Sequence, residues 1–206
     1  SSCIYPKNAK QPISEDSLLK GKLESSNQWY SLAKIAGIKL CEAFRIQDNC
    51  NFISVMPTNL YGPMDKFDDV NGHVPAALLN RFHLAKENNL PEVTVWGSGT
   101  PLREFLYVDD LADACLFLAK NYNSSKPINV GSSHEISIKN FANLIKEVVG
   151  YKGKIIFDTS KPDGMKRKLL DSEKIKKIGW KPKISLKKGL KLFYKWYLNN
   201  QNILRK

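Results

Sequence analysis

The sequence predicts an α/β fold built on a parallel sheet, and three observations carry that prediction. Short β-rich runs alternate with helical stretches along most of the chain. One run, Asn51-Phe52-Ile53-Ser54-Val55-Met56, reads as a buried parallel strand and stops at Pro57. From Gln28 to about Gln47, Tyr30, Ala33, Ile35, Ala36, Ile38, Leu40, Cys41 and Phe44 recur at helical spacing.

Taken in order, Ser1 to Lys10 reads as a strand end entering a loop, and 11–26 as a polar loop rich in Pro, Ser and Glu. The helix over 28–47 and the strand over 51–56 follow. Pro57-Thr58-Asn59-Leu60-Tyr61-Gly62-Pro63 reads as a loop. Residues 74–88 form a second helix, and Val93-Thr94-Val95-Trp96 a strand closing at Gly97-Ser98-Gly99. The next strand is Arg103-Glu104-Phe105-Leu106-Tyr107-Val108, after which Asp109 or Asp110 caps a helix running to about Lys120. Ile128 to Gly131 is a brief strand, Ser137-Ile138 opens a helix to Val149, and Lys154 to Phe157 is a last strand. The loop Lys161-Pro162-Asp163-Gly164 precedes two more helical stretches, about 171–178 and 185–199.

At 206 residues the chain is long enough for a real core and for one domain or somewhat more. Its 42% hydrophobic and 25% charged residues are ordinary for a globular protein. No window approaches the roughly 18 apolar residues of a membrane span, and the first residues lack the basic and apolar regions of a secretory signal. Cys3, Cys41, Cys50 and Cys115 are scattered without metal-ligand spacing, as expected for reduced thiols in a cytoplasmic chain that holds no metal. The net charge of +12 raises the question of nucleic acid. Lysines clustered as in Lys166-Arg167-Lys168 and Lys187-Lys188 fit solvated helix faces, arginines are few, and no aromatic-basic stacking motif occurs. An anionic small-molecule substrate accounts for the charge more simply, so neither nucleic acid nor a membrane is expected as a partner.

Tyr30 and Lys34 lie four residues apart, about one helical turn, so both project from one helix face. An ammonium beside a phenol favours the phenolate, which makes Tyr30 a proton donor and acceptor for a carbonyl/alcohol interconversion. The spacing alone also arises in helices with no catalytic role.

Ser1-Ser2-Cys3-Ile4-Tyr5-Pro6, the Tyr30/Lys34 pair and Met56-Pro57-Thr58-Asn59-Leu60-Tyr61-Gly62-Pro63 occur in the order found in extended short-chain dehydrogenases/reductases that act on nucleotide sugars. Val95-Trp96-Gly97-Ser98-Gly99-Thr100-Pro101-Leu102-Arg103-Glu104-Phe105 and Phe157-Asp158-Thr159-Ser160-Lys161-Pro162-Asp163-Gly164 resemble the GDP-L-fucose synthase family within them. The resemblance runs from residue 1 to about 198. It implies the C-terminal part of a Rossmann-like parallel sheet with a smaller α/β substrate-binding domain. Residues 1–62 would belong to the NADP-binding domain and 63–206 mainly to the GDP-sugar domain, with about 104–131 returning to the first.

The reaction so implied epimerises C3 and C5 of GDP-4-keto-6-deoxy-D-mannose and reduces C4 with NADPH. Epimerisation beside a ketone needs a base on one face, an acid on the other and a stabilised enolate between them. By resemblance, Cys3 and His73 are the acid/base pair, Ser1 and Tyr30 stabilise the enolate, and Tyr30 protonates the C4 oxygen during reduction. Ser1, Ser2, Lys34, Pro57, Thr58, Asn59, Leu60 and His73 would face NADP(H). Arg81, Trp96, Arg103, Asp163 and Lys168 would meet the GDP-sugar, arginine suiting a bidentate grip on phosphate. The residue types alone also fit a small packed cysteine, a hydrogen-bonded loop histidine, a core tryptophan and a solvated lysine. His83 and His134 match nothing in the family and are expected to be surface or structural.

One departure stands out. Such reductases begin with a glycine-rich turn that brings the cofactor pyrophosphate to a helix N-terminus. The sequence contains no such turn, and Gly97-Ser98-Gly99 opens no helix. The expectation is a fragment of a longer protein, with a split partner chain or a non-catalytic GDP-binding remnant as alternatives, and a homodimer when full length. A different nucleotide-sugar 4-epimerase or dehydratase is the alternative reaction, which Cys3 with His73 and the Lys161-Pro162-Asp163-Gly164 loop disfavour.

Overall fold

The computed structural model describes residues 1–68 and 72–205. In chain order its longer elements are α1 (Gln28–Asp48), β1 (Val55–Pro57), β2 (Asn59–Tyr61), α2 (Val74–Glu87), β3 (Glu92–Trp96), β4 (Leu102–Tyr107) and α3 (Val108–Asn121). There follow β5 (Ile128–Val130), β6 (Glu135–Ser137), α4 (Ile138–Val149), β7 (Lys154–Asp158), β8 (Arg167–Lys168), α5 (Glu173–Lys177) and α6 (Leu186–Asn199). The alternation expected from sequence is present, and β1 pairs with β5, and β3 with β7, in parallel.

The chain divides into two compact units. The first comprises Ser1–Leu60, Glu104–Glu135 and Lys168–Lys183, the second Tyr61–Arg103, Ile136–Arg167 and Ile184–Lys206. The chain passes from one to the other within β2, β4, β6 and β8, and once more between Lys183 and Ile184.

In the first unit, β1 and β5 are in register as Val55 with Ile128, Met56 with Asn129 and Pro57 with Val130. One apolar cluster joins Ile4, Tyr5, Ile13, Ile35, Ile38, Met56 and Leu170. A second joins Leu106, Ala114, Leu118, Ile128, Val130, Ile175 and Trp180. Burial of side chains this size is worth about 1.5–3 kcal/mol each. The buried Asn129 ties the loops to this core: its Oδ1 accepts from Tyr5 Oη at 2.6 Å, and its Nδ2 donates to the carbonyls of Ile13 at 2.9 Å and Asp171 at 3.1 Å. A buried amide is tolerated because its polar atoms are all satisfied.

The second unit sets α2, α4 and α6 with the parallel β3/β7 pair, in which Glu92 to Trp96 lie opposite Lys154 to Asp158. Its interior is aromatic, with Phe67 between Phe193 and Tyr197 at ring distances of 5.3 and 4.9 Å. Ser137 caps α4 by accepting from the Asn140 N–H at 3.2 Å, and the helix stops at Gly150, whose φ of 75° is costly for any residue with a Cβ. His83 accounts for itself here, its Nδ1 3.1 Å from Tyr194 Oη.

Four local expectations change. The strand expected over 51–56 and ending before Pro57 is Val55–Pro57, with Pro57 itself paired to Val130. Ser2–Ile4 is a 3₁₀ turn, not a strand end, because the Ser1 hydroxyl accepts the Cys3 N–H and caps it. Asn59–Tyr61 is a strand where a loop was expected: the turn-forming Pro57 and Gly62-Pro63 bracket it, and Tyr61 is buried. Asp109 and Asp110 lie inside the first turn of α3, after an N-cap at Tyr107, where carboxylates still complement the helix dipole.

Candidate active site

The expected catalytic, cofactor-binding and substrate-binding residues fall into both units. Ser1, Cys3, Tyr30, Lys34 and Lys168 belong to the first, as do Ser2, Pro57, Thr58, Asn59 and Leu60. His73, Arg81, Trp96, Arg103 and Asp163 belong to the second.

In the first unit α1 presents the Tyr/Lys pair. Tyr30 is about half-exposed, and the Lys34 ammonium lies over its ring, 5.4 Å from the centroid. Ser31 turns the other way, is fully buried, and donates its hydroxyl to the Cys3 carbonyl at 2.9 Å. That bond fixes the Ser1–Ile4 turn against the helix one residue from Tyr30. The Cys3 sulfur sits 3.3 Å from Asn27 Nδ2 and 3.3 Å from Lys168 Nζ. Burial pushes the Cys3 thiol up, but the Lys168 charge, the Ser1 hydroxyl and the Lys168 hydrogen bond outweigh it and hold the thiol below its ordinary value.

The segment Pro57–Leu60 is held by its own polar groups. The Thr58 N–H donates to the Val130 carbonyl at 3.0 Å, while the Thr58 hydroxyl and Asn59 Nδ2 reach the Glu104 carbonyl at 3.3 and 2.9 Å. Ser2 is buried. Glu104, completely buried, anchors two further segments through its side chain: its carboxylate accepts the Ser133 N–H at 2.6 Å and the Leu170 N–H at 3.1 Å. Burial pushes this carboxyl above its usual range, and the backbone donors from Leu170, Ser133 and Ser132 with the Thr58 hydroxyl offset part of that. Gly131 fits because a Cβ there would collide with the Glu104 carboxylate.

In the second unit, half-exposed Trp96 at the end of β3 has Arg81 at 5.8 Å and Lys161 at 5.6 Å from its ring. Arg81 Nη1 also donates to the Thr94 carbonyl at 2.6 Å. Asp163 accepts from the Ser98 N–H at 2.6 Å and the Ser98 hydroxyl at 2.8 Å, closing the turn in which Gly97 has a φ of 83°. Arg103 donates to the Leu102 carbonyl at 2.9 Å; burial lowers its guanidinium and the Asp163 charge opposes the shift. His73 caps α2 with its side chain exposed and Nδ1 3.6 Å from Asp65 Oδ1. Among the described residues no group of three or more His, Cys, Asp or Glu is placed to hold a metal ion, and no helix is long and apolar enough to cross a membrane.

A sequence model of the NAD dependent epimerase/dehydratase family matches residues 1–131. The chain belongs to that family. This family member is similar to a probable GDP-L-fucose synthase 1 of Oryza sativa subsp. japonica, 60% identical over 97% of this chain and 61% of the rice protein. It is also 51% identical to a GDP-L-fucose synthase of Escherichia coli K12, over all of this chain and 67% of that protein. Among solved structures, a GDP-L-fucose synthetase from Naegleria fowleri bound to NADP superimposes with a TM-score of 0.94 at 34% identity, covering all of this chain and 66% of the other. The chain thus spans about three-fifths to two-thirds of the curated relatives it matches.

Two residues that contact the expected ones, Asn27 on Cys3 and Lys161 on Trp96, are not marked by the sequence pattern. Lys161 lies in the loop Lys161-Pro162-Asp163-Gly164, where its residue type alone marks no contact. Asn27 sits immediately before the predicted helix, and only the fold shows its amide on the Cys3 sulfur.

Proposed function

We propose that the chain carries the proton-transfer and sugar-binding machinery of an NADP-dependent enzyme that makes GDP-L-fucose from GDP-4-keto-6-deoxy-D-mannose. The observation that carries this reading is the Ser31–Cys3 hydrogen bond of 2.9 Å, which sets a low-lying thiol beside the helix that presents Tyr30 and Lys34. A carbonyl reductase needs the tyrosine; an epimerase acting next to the same carbonyl also needs a group that exchanges protons with carbon.

In the epimerisation, Cys3 and His73 exchange protons at the carbons flanking the ketone, one on each face. The electron pair released at carbon moves to the C4 oxygen, where Ser1 and Tyr30 donate hydrogen bonds. When bound, NADP(H) supplies the hydride for C4. Tyr30 then gives its proton to the C4 oxygen. Lys34 and the ordered Pro57–Leu60 segment, with Ser1, Ser2 and His73, would hold the nicotinamide end. The residues fit that end of the cofactor, since the Tyr30 hydroxyl and Lys34 ammonium stand on an exposed helix face and the neighbouring backbone is pinned by Thr58 and Asn59. Trp96 flanked by Arg81 and Lys161 offers a flat ring and two cations, the chemistry of a nucleoside diphosphate; Arg103, Asp163 and Lys168 complete the substrate set. A homodimer packed through α1 is part of the proposal, supported by Trp29, Leu32, Leu40 and Phe44, all exposed on that helix.

The test joins the chain to the part of the Escherichia coli relative that it does not cover and supplies GDP-4-keto-6-deoxymannose with NADPH. Consumption of NADPH with formation of GDP-L-fucose is the expected result. A folded hybrid that binds both compounds and leaves NADPH unconsumed would sink the reductase assignment.

A further inference from the structure

We propose that Asn27 and Lys168 are positioning residues that hold the Cys3 sulfur as a thiolate, aimed and ready to accept a proton from carbon. The proposal deepens the function above and rests on it for the consequence in turnover, while the state of the sulfur is testable without it.

The geometry is specific. Asn27 Nδ2 and Lys168 Nζ both lie 3.3 Å from Cys3 Sγ. Both groups approach as donors, the ammonium because it has no lone pair to offer and the Asn27 amide through its Nδ2. A neutral thiol is a weak acceptor, so two nitrogen donors, one of them charged, match a thiolate far better.

Neither donor is held by chance. Asn27 ends the short turn Ser25–Asn27 and is the N-cap of α1, yet its side chain caps no backbone N–H and is free to serve the sulfur. Lys168 comes from the far end of the chain on β8, and the residues after it are pinned in the first unit. The Leu169 N–H donates to Gln11 Oε1 at 2.9 Å, the Leu170 N–H to Glu104 Oε2 at 3.1 Å, and Ile13 exchanges backbone bonds with Leu169 and Asp171 at 2.8 and 2.9 Å. Lys168 faces Cys3 with a positive charge, which supports the same state. Lys168 therefore has a role besides the nucleotide contact expected from its loop. In turnover, the proton on the carbon beside the ketone passes to Cys3 sulfur, its bonding pair goes to the C4 oxygen, and His73 supplies a proton to the opposite face.

The experiment is alkylation of the chain by iodoacetamide as a function of pH, with each cysteine followed by peptide mass spectrometry. Cys115, whose thiol burial pushes up, is the internal reference. Cys3 is expected to react with a midpoint below that of Cys115. Lys168→Met should move the Cys3 midpoint up by about one to three pH units, Lys168→Arg should restore most of the shift, and Asn27→Ala should move it up by less. The far-UV circular dichroism of each variant verifies folding, and the Arg variant keeps the proposal testable should the Met variant unfold. A Cys3 midpoint equal in wild type, Lys168→Met and Lys168→Arg overturns the proposal. In the hybrid enzyme, Lys168→Met should lower kcat for proton exchange in addition to any rise in KM from its lost substrate contact; a rise in KM with kcat for proton exchange unchanged would assign Lys168 to nucleotide binding alone and overturn it. The shifted midpoint without turnover would leave the thiolate standing and remove the enzyme reading, and turnover without the shift would do the reverse.

Discussion

Tyr30 and Cys3 divide the proposed chemistry between oxygen and carbon, and single substitutions should separate the two. Tyr30→Phe removes the proton delivered to the C4 oxygen and is expected to slow NADPH oxidation by about 10²–10⁴-fold, with GDP binding measured by calorimetry unchanged. Cys3→Ser should suppress deuterium incorporation from solvent at C3 and C5 while sparing reduction of the ketone; equal loss of both would contradict the role given to Cys3. These two residues were legible in sequence because a spacing and a motif marked them. Asn27 was not, because its partner lies 24 residues away in a turn that sequence read as a strand end. Asp163 was legible as a residue but not in its contacts, since no pattern announces that both its oxygens close on Ser98.

At the scale of elements, the turns are more sharply specified than the strands. Gly97 combines a φ of 83° with the carboxylate of Asp163 packed where a Cβ would stand. Gly97→Ala should cost at least about 1–2 kcal/mol, read as a lower urea midpoint, and should disorder the Ser98–Asp163 closure. The neighbouring Trp96 is expected to act differently: Trp96→Ala should leave the midpoint nearly unchanged and weaken GDP binding by about 1–3 kcal/mol, measured by calorimetry. Helices α1, α2, α4 and α6 could be read from periodicity and caps. β2, β6 and β8 could not, because strands of two or three residues carry no period and form only where another strand offers its edge.

For the molecule as a whole, Glu104 links local burial to global stability. Its carboxyl is pushed above the usual range by burial, so the native state binds a proton more tightly than the unfolded chain. The stability contributed by this group is therefore full below the ordinary glutamate value of about 4.3 and declines as pH rises through the raised native value. Glu104→Gln should flatten that part of the stability–pH curve. Glu104→Ala should destabilise by about 3 kcal/mol or more, because it strands the N–H groups of Ser133 and Leu170 in the interior; urea titrations across the acid range would measure both. The α/β class and its parallel pairing were legible in the alternation of runs. The hub at Glu104 was not, since it joins β4 to segments 29 and 66 residues further on.

The passage of the chain from one unit to the other within β2, β4, β6 and β8 has a consequence for how the protein is made and how it can change. No continuous stretch of the gene encodes either unit: the first is complete only once residue 183 has left the ribosome, and the second needs residues beyond it. Partially synthesised chains must therefore hold unfinished sheets, and a truncation after Lys183 removes part of the second unit while leaving its other two segments threaded between those of the first. Exchange of one whole unit with a homologue requires three segments to move together, so new substrate preferences in such a chain are reached more readily by point substitution than by recombination.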